Sequence, residues 1–130
     1  MKRLVTVLLA ALVLGACQSP ETRVQNVAET FLNAYYTADY EAAAACCTPE
    51  LAERINRMAG ELEGVPAQTA QRIKEALAGT SFKIVSVELD EDAASAVVHY
   101  ELSVPDIERP VPKALTLQLE GRTALVDGIQ

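Results

Sequence analysis

The sequence predicts an α+β fold in which N-terminal helices pack on an antiparallel four-stranded sheet. Two observations indicate this class. Apolar residues recur at helical spacing from residue 19 to about residue 79, and they alternate with polar residues from Ser81 onward. Because all the helices precede all the strands, and short turns join the strands, the helices are expected to cover one face of an antiparallel sheet.

The first segment is too short to be a transmembrane helix. Lys2 and Arg3 precede eleven mostly aliphatic residues, Leu4 to Leu14, whereas a helix needs about 20 such residues to cross a bilayer. A basic start, a short apolar core and small residues before a cut are typical of a secretory signal peptide. We therefore expect residues 1–16 to be removed and Cys17 to begin the mature chain.

The first helix is predicted to start at Ser19-Pro20-Glu21. Serine accepts from free amides, proline suits the first position and glutamate complements the helix dipole. Its apolar face comprises Val24, Val27, Ala28, Phe31, Leu32, Ala34, Tyr35 and Tyr36. Ala38-Asp39 ends it, and Asp39 is expected to cap a short second helix. The inward positions of that second helix would be Tyr40, Ala43, Ala44 and Cys47.

Two further helices are predicted before the sheet. Thr48-Pro49-Glu50 repeats the start signal, and the third helix would bury Leu51, Ile55, Met58, Ala59 and Leu62. Gly64-Val65-Pro66 interrupts the helical pattern. The fourth helix has an apolar stripe of Ala70, Ile73, Ala76 and Leu77, and Gly79 is expected to end it in the left-handed conformation.

The first two strands are joined by the acidic turn Asp90-Glu91-Asp92. In the first strand the apolar positions shift between Ile84 and Val85, which predicts a β-bulge there. The second strand would turn one face to the core, with Ala96, Val98, Tyr100, Leu102 and Val104. Its other face would carry Val97, His99, Glu101 and Ser103.

A proline-rich loop, residues 105–112, leads to the last two strands. Leu115, Leu117 and Leu119 alternate with Ala114, Thr116 and Gln118. Glu120-Gly121 is predicted to be the two-residue turn of a hairpin. The final strand would then run from Thr123 to Asp127.

Leu14-Gly15-Ala16-Cys17 resembles the lipobox of bacterial lipoproteins, in which the cysteine is lipidated and becomes the first residue. The resemblance implies a signal peptide at 1–16, a lipidated Cys17 with a short tether at 17–22, and a single domain at 23–130. It also implies an envelope location. Gln18 is not the aspartate linked to inner-membrane retention, which favours the outer membrane facing the periplasm. The alternative is an ordinary signal peptide with an incidental cysteine.

The mature chain is strongly acidic. Of the eleven basic residues, Lys2 and Arg3 lie in the signal segment, so nine basic side chains face eighteen acidic ones and the net charge is −9. Nucleic acid is bound mainly through cationic contacts to phosphate and is therefore not expected as a partner. The same charge disfavours lying on anionic headgroups, so the lipid would provide the membrane attachment.

The order of elements is similar to that of small lipoproteins of the nuclear-transport-factor-two-like, or cystatin-like, superfamily, some of whose families have no known function. The resembling segments are 28–32, 38–43, 115–122 and 126–128. The resemblance implies a curved, cone-like sheet wrapped by a long helix. One departure is the absence of tryptophan, which such families often place after the basic residue of the last hairpin, where this chain has Thr123.

Few residues point to chemistry. Cys46 and Cys47 are adjacent, and a disulfide between them would be strained because neighbouring Cα atoms lie only about 3.8 Å apart. We interpret them as small packed side chains, with a redox role or a bridge as alternatives. His99, the only histidine, is expected on the polar sheet face. No spacing of ligands suggests a metal, and we expect no cofactor.

The residues expected around the cone interior are Tyr35, Tyr36, Asp39, Tyr40 and Tyr100. Our hypothesis is a non-enzymatic, lipid-anchored envelope protein, a monomer or weak dimer, that uses these residues to bind a small apolar ligand or an envelope protein. One alternative is an isomerase or hydrolase in which Asp39 is the base and tyrosines stabilise an anion. Another is a structural or assembly partner whose cone is filled.

Overall fold

The computed structural model describes residues 19–130. Four helices precede four strands, which confirms the predicted α+β class. The helices are α1 (Pro20–Tyr35), α2 (Tyr40–Ala44), α3 (Pro49–Gly64) and α4 (Ala67–Ala78). The strands are β1 (Ser81–Asp90), β2 (Ser95–Ser103), β3 (Val111–Glu120) and β4 (Thr123–Ile129). The predicted signal peptide and Cys17 lie outside the described residues.

Helix α1 begins where its sequence predicts. The Ser19 hydroxyl accepts a hydrogen bond from the Thr22 amide at 3.2 Å, and Pro20 occupies the first turn. These two features fix the start of the helix at Pro20. The buried face consists of Val24, Ala28, Phe31, Leu32 and Ala34.

The break after α1 depends on Ala38 and Asp39. Ala38 has φ +61°, in the left-handed region, where a side chain is strained, and this conformation interrupts the helical path between α1 and α2. Asp39 then caps α2, as predicted, because its Oδ1 accepts from the Ala42 amide at 3.4 Å. The prediction that Cys47 lies on this helix is wrong, since α2 ends at Ala44.

Cys47 belongs to the edge of the sheet instead. It forms a parallel bridge with Val126 of β4. The Val126 amide donates to the Cys46 carbonyl at 2.8 Å, and the Thr48 amide donates to the Val126 carbonyl at 2.9 Å. These two bonds use backbone groups that an edge strand would leave unpaired. They therefore cover part of the β4 edge.

Helices α3 and α4 differ in how far they enter the core. Helix α3 buries Leu51 and Ile55, whereas α4 has no buried residue, and Ile73 is 36% exposed. The expected stripe of α4 therefore does not join the core. No helix within residues 19–130 has the length and apolarity needed to cross a membrane.

Gly79 does not adopt the predicted left-handed cap. Its φ is −90°, a conformation open to other residues. A Cβ at this position would, however, lie 2.5 Å from Cγ of Pro105. The glycine is therefore explained by the close approach of the Pro105 loop and not by backbone conformation.

The sheet is an antiparallel meander in the order β1-β2-β3-β4. The predicted bulge in β1 is confirmed: Ile84 faces Tyr100 and Ser86 faces His99, which leaves Val85 as the extra residue. The last hairpin differs by one residue from the prediction. Glu120 pairs with Thr123, so the turn is Gly121-Arg122. Gly121 has φ +57°, which explains why glycine occupies the first turn position.

A second bulge lies in β4, which extends to Ile129, two residues beyond the predicted end. Thr116 faces Gly128 and Leu117 faces Val126, so Asp127 is the extra residue. The inserted residue keeps Val126 and Ile129 opposite the inward leucines of β3. The bulge was not predicted, because a single acidic residue near a strand end resembles a turn signal.

The core lies between α1 and the inner face of the sheet. Its large, fully buried side chains are Val24, Phe31, Leu32, Ile55, Val98, Tyr100, Leu115, Leu117 and Val126. Phe31, Val98 and Leu117 are each 0% exposed. The centre between helix and sheet is therefore filled by side chains, and space for a ligand has to be sought at its margins.

Candidate ligand-binding site

The structure brings four of the predicted site residues into one aromatic cluster. Tyr35 and Tyr36 come from the C-terminal end of α1, Tyr40 from the start of α2 and Tyr100 from β2. The ring centroids of Tyr35 lie 5.2 Å from those of Tyr36 and 6.0 Å from those of Tyr40. Tyr36 lies 6.5 Å from Tyr100 in an edge-to-face arrangement. Such contacts stabilise the junction of α1, α2 and the sheet.

Two hydroxyl groups in this cluster form a hydrogen bond. The hydroxyl oxygens of Tyr36 and Tyr100 are 3.0 Å apart. Tyr100 is 1% exposed, and a buried hydroxyl that does not donate is costly. We therefore assign Tyr100 as the donor and Tyr36 as the acceptor. The O–H of Tyr36 then remains free to donate to another group.

Burial raises the pKa values of both tyrosines. Burial raises the pKa of Tyr100 far above its ordinary value, and its hydrogen bond to Tyr36 raises it further. Burial also raises the pKa of Tyr36, while the hydrogen bond with Tyr100 lowers it in part. Both hydroxyls are therefore protonated at neutral pH.

Tyr36 lines a cleft of about 450 Å³. The cleft lies between the C-terminal end of α1, the C-terminal end of α4 and the start of β1. Among its lining residues are Leu32, Tyr36, Lys74, Leu77, Thr80 and Phe82. This volume is within the range of roughly 300–1,000 Å³ that small-molecule sites occupy. We call it the α4 cleft.

Tyr35 lines a different cleft, of about 380 Å³, over α3. Leu51, Ile55 and Ile129 contribute apolar surface to it, and Arg54 and Arg57 contribute charge. The tyrosines expected around one interior are thus divided between two clefts. Tyr40 and Tyr100 line neither of the two, because their rings pack within the cluster and Tyr100 is buried.

Asp39 forms no hydrogen bond with the tyrosine hydroxyls in the part of the chain that the structure describes. It is exposed, its carboxylate accepts from the Ala42 amide as a helix cap, and it lines neither cleft. A catalytic base has to reach the proton that it abstracts. The geometry therefore gives Asp39 a structural role and does not pair it with the tyrosine hydroxyls.

The adjacent cysteines are free thiols. Cys47 is 7% exposed and its Sγ donates to the Ala43 carbonyl at 3.2 Å, while Cys46 is half-buried. Burial raises the pKa of both thiols, and that of Cys47 reaches about 12. Since the thiolate is the reactive form, this environment disfavours nucleophilic or redox chemistry at neutral pH.

His99 lies on the outer face of the sheet, as predicted. Its Nε2 is 3.3 Å from Oε2 of Glu88, and both side chains are well exposed. Within residues 19–130 there is no group of three or more His, Cys, Asp or Glu residues that could hold a metal ion. His99 and Glu88 therefore form a surface pair.

Apart from Tyr36, the residues that line the α4 cleft were not predicted as site residues. Leu77 belongs to the predicted apolar stripe of the fourth helix, and Lys74 and Thr80 carry no signal in the sequence. The composition of α4 indicates that the helix buries little surface. It has no aromatic side chain, and its residues include Gln68, Gln71, Arg72 and Lys74. A helix with so small an apolar stripe buries little area, so it can border a cleft without closing it.

Comparison of the chain with protein-family models, with curated protein sequences and with solved structures gave no match in any of the three.

Proposed function

We propose that this protein is a lipid-anchored lipoprotein of the bacterial envelope that binds a small, largely apolar ligand without catalysing a reaction. The proposal rests on the Tyr36 hydroxyl, which lies on the wall of the α4 cleft and which, with Tyr100 assigned as the donor of their hydrogen bond, can donate to a ligand. The ligand would combine an apolar body with one hydrogen-bond acceptor, such as a carbonyl oxygen.

The lining of the cleft supports this ligand class. Leu32, Leu77 and Phe82 offer apolar surface, and burying such surface drives the binding of apolar molecules. A few placed polar groups then fix the orientation of the ligand. Tyr36 is suited to that role because Tyr100 holds its hydroxyl in place.

Helix α4 supports entry of a ligand. It contributes Leu77 to the wall of the cleft but has no residue in the core. Elements with few buried contacts open at low free-energy cost. An outward shift of α4 would therefore widen the cleft while the core between α1 and the sheet stays intact.

The anchor would determine which way the cleft opens. Cys17 precedes Ser19 by two residues, which span at most about 7 Å. Helix α1 has 16 residues and is therefore about 24 Å long. The cleft lies at its C-terminal end, so a bilayer at its N-terminal end would leave the cleft open to the aqueous compartment. The ligand would reach the protein from that side.

The ligand proposal is tested by gentle extraction of the full-length protein from its native membrane, followed by mass spectrometry of bound molecules. We expect one small apolar compound in stoichiometric amount, and a large loss of it in Tyr36→Phe. Tyr35→Phe is the matched control, because it removes a hydroxyl from the neighbouring cleft. Circular dichroism would verify that each variant is folded. A wild-type protein without a stoichiometric ligand, or full retention by Tyr36→Phe, would contradict the proposal.

The anchor is tested separately with Cys17→Ala. We expect this variant to lack fatty acyl mass and to retain its leader or to leave the membrane. Cys46→Ala, which changes a different thiol, should be processed and lipidated normally. Lipid incorporation by Cys17→Ala at the wild-type level would refute the anchor while leaving the ligand proposal open to its own test.

A further inference from the structure

We propose that two copies of this chain form a dimer in which their β1 strands pair antiparallel, around a two-fold axis that passes between Val85 and Ser86. The two sheets would become one continuous sheet across the axis. This interaction surface is independent of the ligand proposal, and its occupant is a second copy of the same chain.

The first argument is that β1 has an open edge. It lies at the end of the sheet order, so within residues 19–130 no strand pairs with its outer side, and its main contacts are with β2 and α1. The strand is ten residues long. Backbone groups on its outer side can therefore pair with another strand, and long edges of this kind are usually protected in natural proteins.

The second argument comes from the apolar side chains. In the proposed register, Phe82 faces Leu89 of the second copy, and Ile84 faces Val87. All four side chains point to the inner face and are only partly buried, although they pack against the core. Facing residues of an antiparallel pair share one face of the sheet, so each side chain would gain an apolar neighbour.

The third argument is charge complementarity. The same register places Lys83 opposite Glu88 of the second copy, and the two-fold axis repeats this pair. No ion pair is formed by Lys83 within the described part of the chain, and the ion-pair partner of Glu88 is His99. Opposite charges facing each other across strands are favourable, and like charges are unfavourable. Any other two-fold register of this strand loses the two matched pairs.

The bulge at Val85 is compatible with the pairing. A bulge normally makes an edge unsuitable, because the partner strand lacks the extra residue. Here the axis sets Val85 of one copy opposite Ser86 of the other. The extra residue of each strand therefore lies opposite the bulge of the other strand, so neither strand has an unmatched residue. The inward positions match on both sides of the axis because both strands carry the same shift.

The test uses the full-length chain in two versions that carry different C-terminal tags. Both are expressed together and extracted in mild detergent, and the fraction of one tag that co-purifies with the other is measured. In Lys83→Glu or in Glu88→Lys, present in both copies, like charges face each other twice. We expect co-purification to fall on the order of tenfold in each case.

Mixing the two variants gives the decisive result. A Lys83→Glu copy facing a Glu88→Lys copy restores two opposite-charge pairs, so co-purification should return to about the wild-type level. No effect confined to one chain can produce this recovery. Arg72→Glu, in both copies, makes the same change of charge at an exposed position of α4 that lines neither cleft, and it should leave co-purification unchanged. Wild-type copies that do not co-purify, single variants that do so normally, or a mixture that fails to recover would each overturn the proposal.

Discussion

The hydroxyl of Tyr100 lies 3.0 Å from the hydroxyl of Tyr36 and joins β2 to the C-cap residue of α1. Tyr100 is buried, whereas Tyr36 also borders the α4 cleft. The pair therefore connects the core to the site that we propose for the ligand.

The direction of this hydrogen bond predicts an asymmetry between two variants. Tyr36→Phe leaves the buried Tyr100 hydroxyl without its acceptor and should cost about 1–3 kcal/mol of unfolding free energy. Tyr100→Phe removes the donor but leaves the Tyr36 hydroxyl on the wall of the cleft, where water can pair with it, so we expect a cost of about 1 kcal/mol. Urea denaturation of both variants and of the double variant measures the difference. Equal costs for the two single variants would contradict the assigned direction.

Asp39 is predicted to stabilise the protein as the N-cap residue of α2. Asp39→Ala should destabilise the protein by about 1 kcal/mol, because the Ala42 amide loses its acceptor. Asp39→Asn should cost less, since asparagine is also a good N-cap residue. Chemical denaturation measures both, and ligand content is measured in parallel. A loss of bound ligand in Asp39→Asn at unchanged stability would favour a chemical role for the carboxylate.

Alkaline pH is predicted to destabilise the fold, in part through Cys47. Its pKa rises from an ordinary 9.0 to about 12, because burial disfavours the thiolate. The stability contributed by this raised pKa is complete below pH 9 and is lost as the pH rises toward 12. Tyr36 and Tyr100, whose pKa values are also raised, add to the loss above about pH 10.

The variant Cys47→Ala isolates the contribution of the thiol. We expect its unfolding free energy to decline less steeply between pH 9 and pH 11 than that of the wild type, as measured by urea titrations at several pH values. Cys46→Ala is the comparison variant. Burial also raises the pKa of Cys46, but this thiol is more exposed than that of Cys47. An identical slope in Cys47→Ala and wild type would show that the thiol does not contribute.

Glycine is predicted to be required at position 128, because Thr116 faces it across the last hairpin and leaves no room for a side chain. A Cβ at this position would lie 2.5 Å from Oγ1 of Thr116, so Gly128→Ala should cost about 1–3 kcal/mol. Thr116→Ala removes the obstructing oxygen, and the double variant should be more stable than the sum of the single effects implies. Thermal or urea unfolding of the four proteins measures this coupling.

Gly60 is a matched control for this prediction. It lies within α3 and has open space around it, so Gly60→Ala should stabilise the protein by up to about 1 kcal/mol. Destabilisation by Gly60→Ala, or purely additive effects at Gly128 and Thr116, would contradict the explanation by local space.

Several features could be predicted because they depend on neighbours in the sequence. A cap such as Ser19 acts on an amide three residues away, and Asp39 does the same for α2. The bulge at Val85 follows from a shift of the apolar positions along one strand. Alternation also placed Tyr100 inward and His99 outward, since successive side chains of a strand point to opposite faces.

The errors arose where a distant part of the chain decides the outcome. Gly79 accommodates Pro105, and Cys47 pairs with Val126, both across long separations in sequence. The apolar stripe of α4 has helical spacing, but spacing does not reveal whether the core has room for it. The division of the tyrosines between two clefts depends on how α1, α2 and β2 pack.

The sequence by itself determined the order of helices and strands, the inward faces of the strands, the caps formed by Ser19 and Asp39 and the acidic charge, because these follow from composition and from interactions over a few residues. Only the tertiary structure decided that Tyr100 lies under Tyr36, that Asp39 is kept away from the hydroxyls and that α4 borders a cleft. Those relationships depend on how α1, α2, α4 and the sheet pack together, because they join residues that are far apart in the sequence.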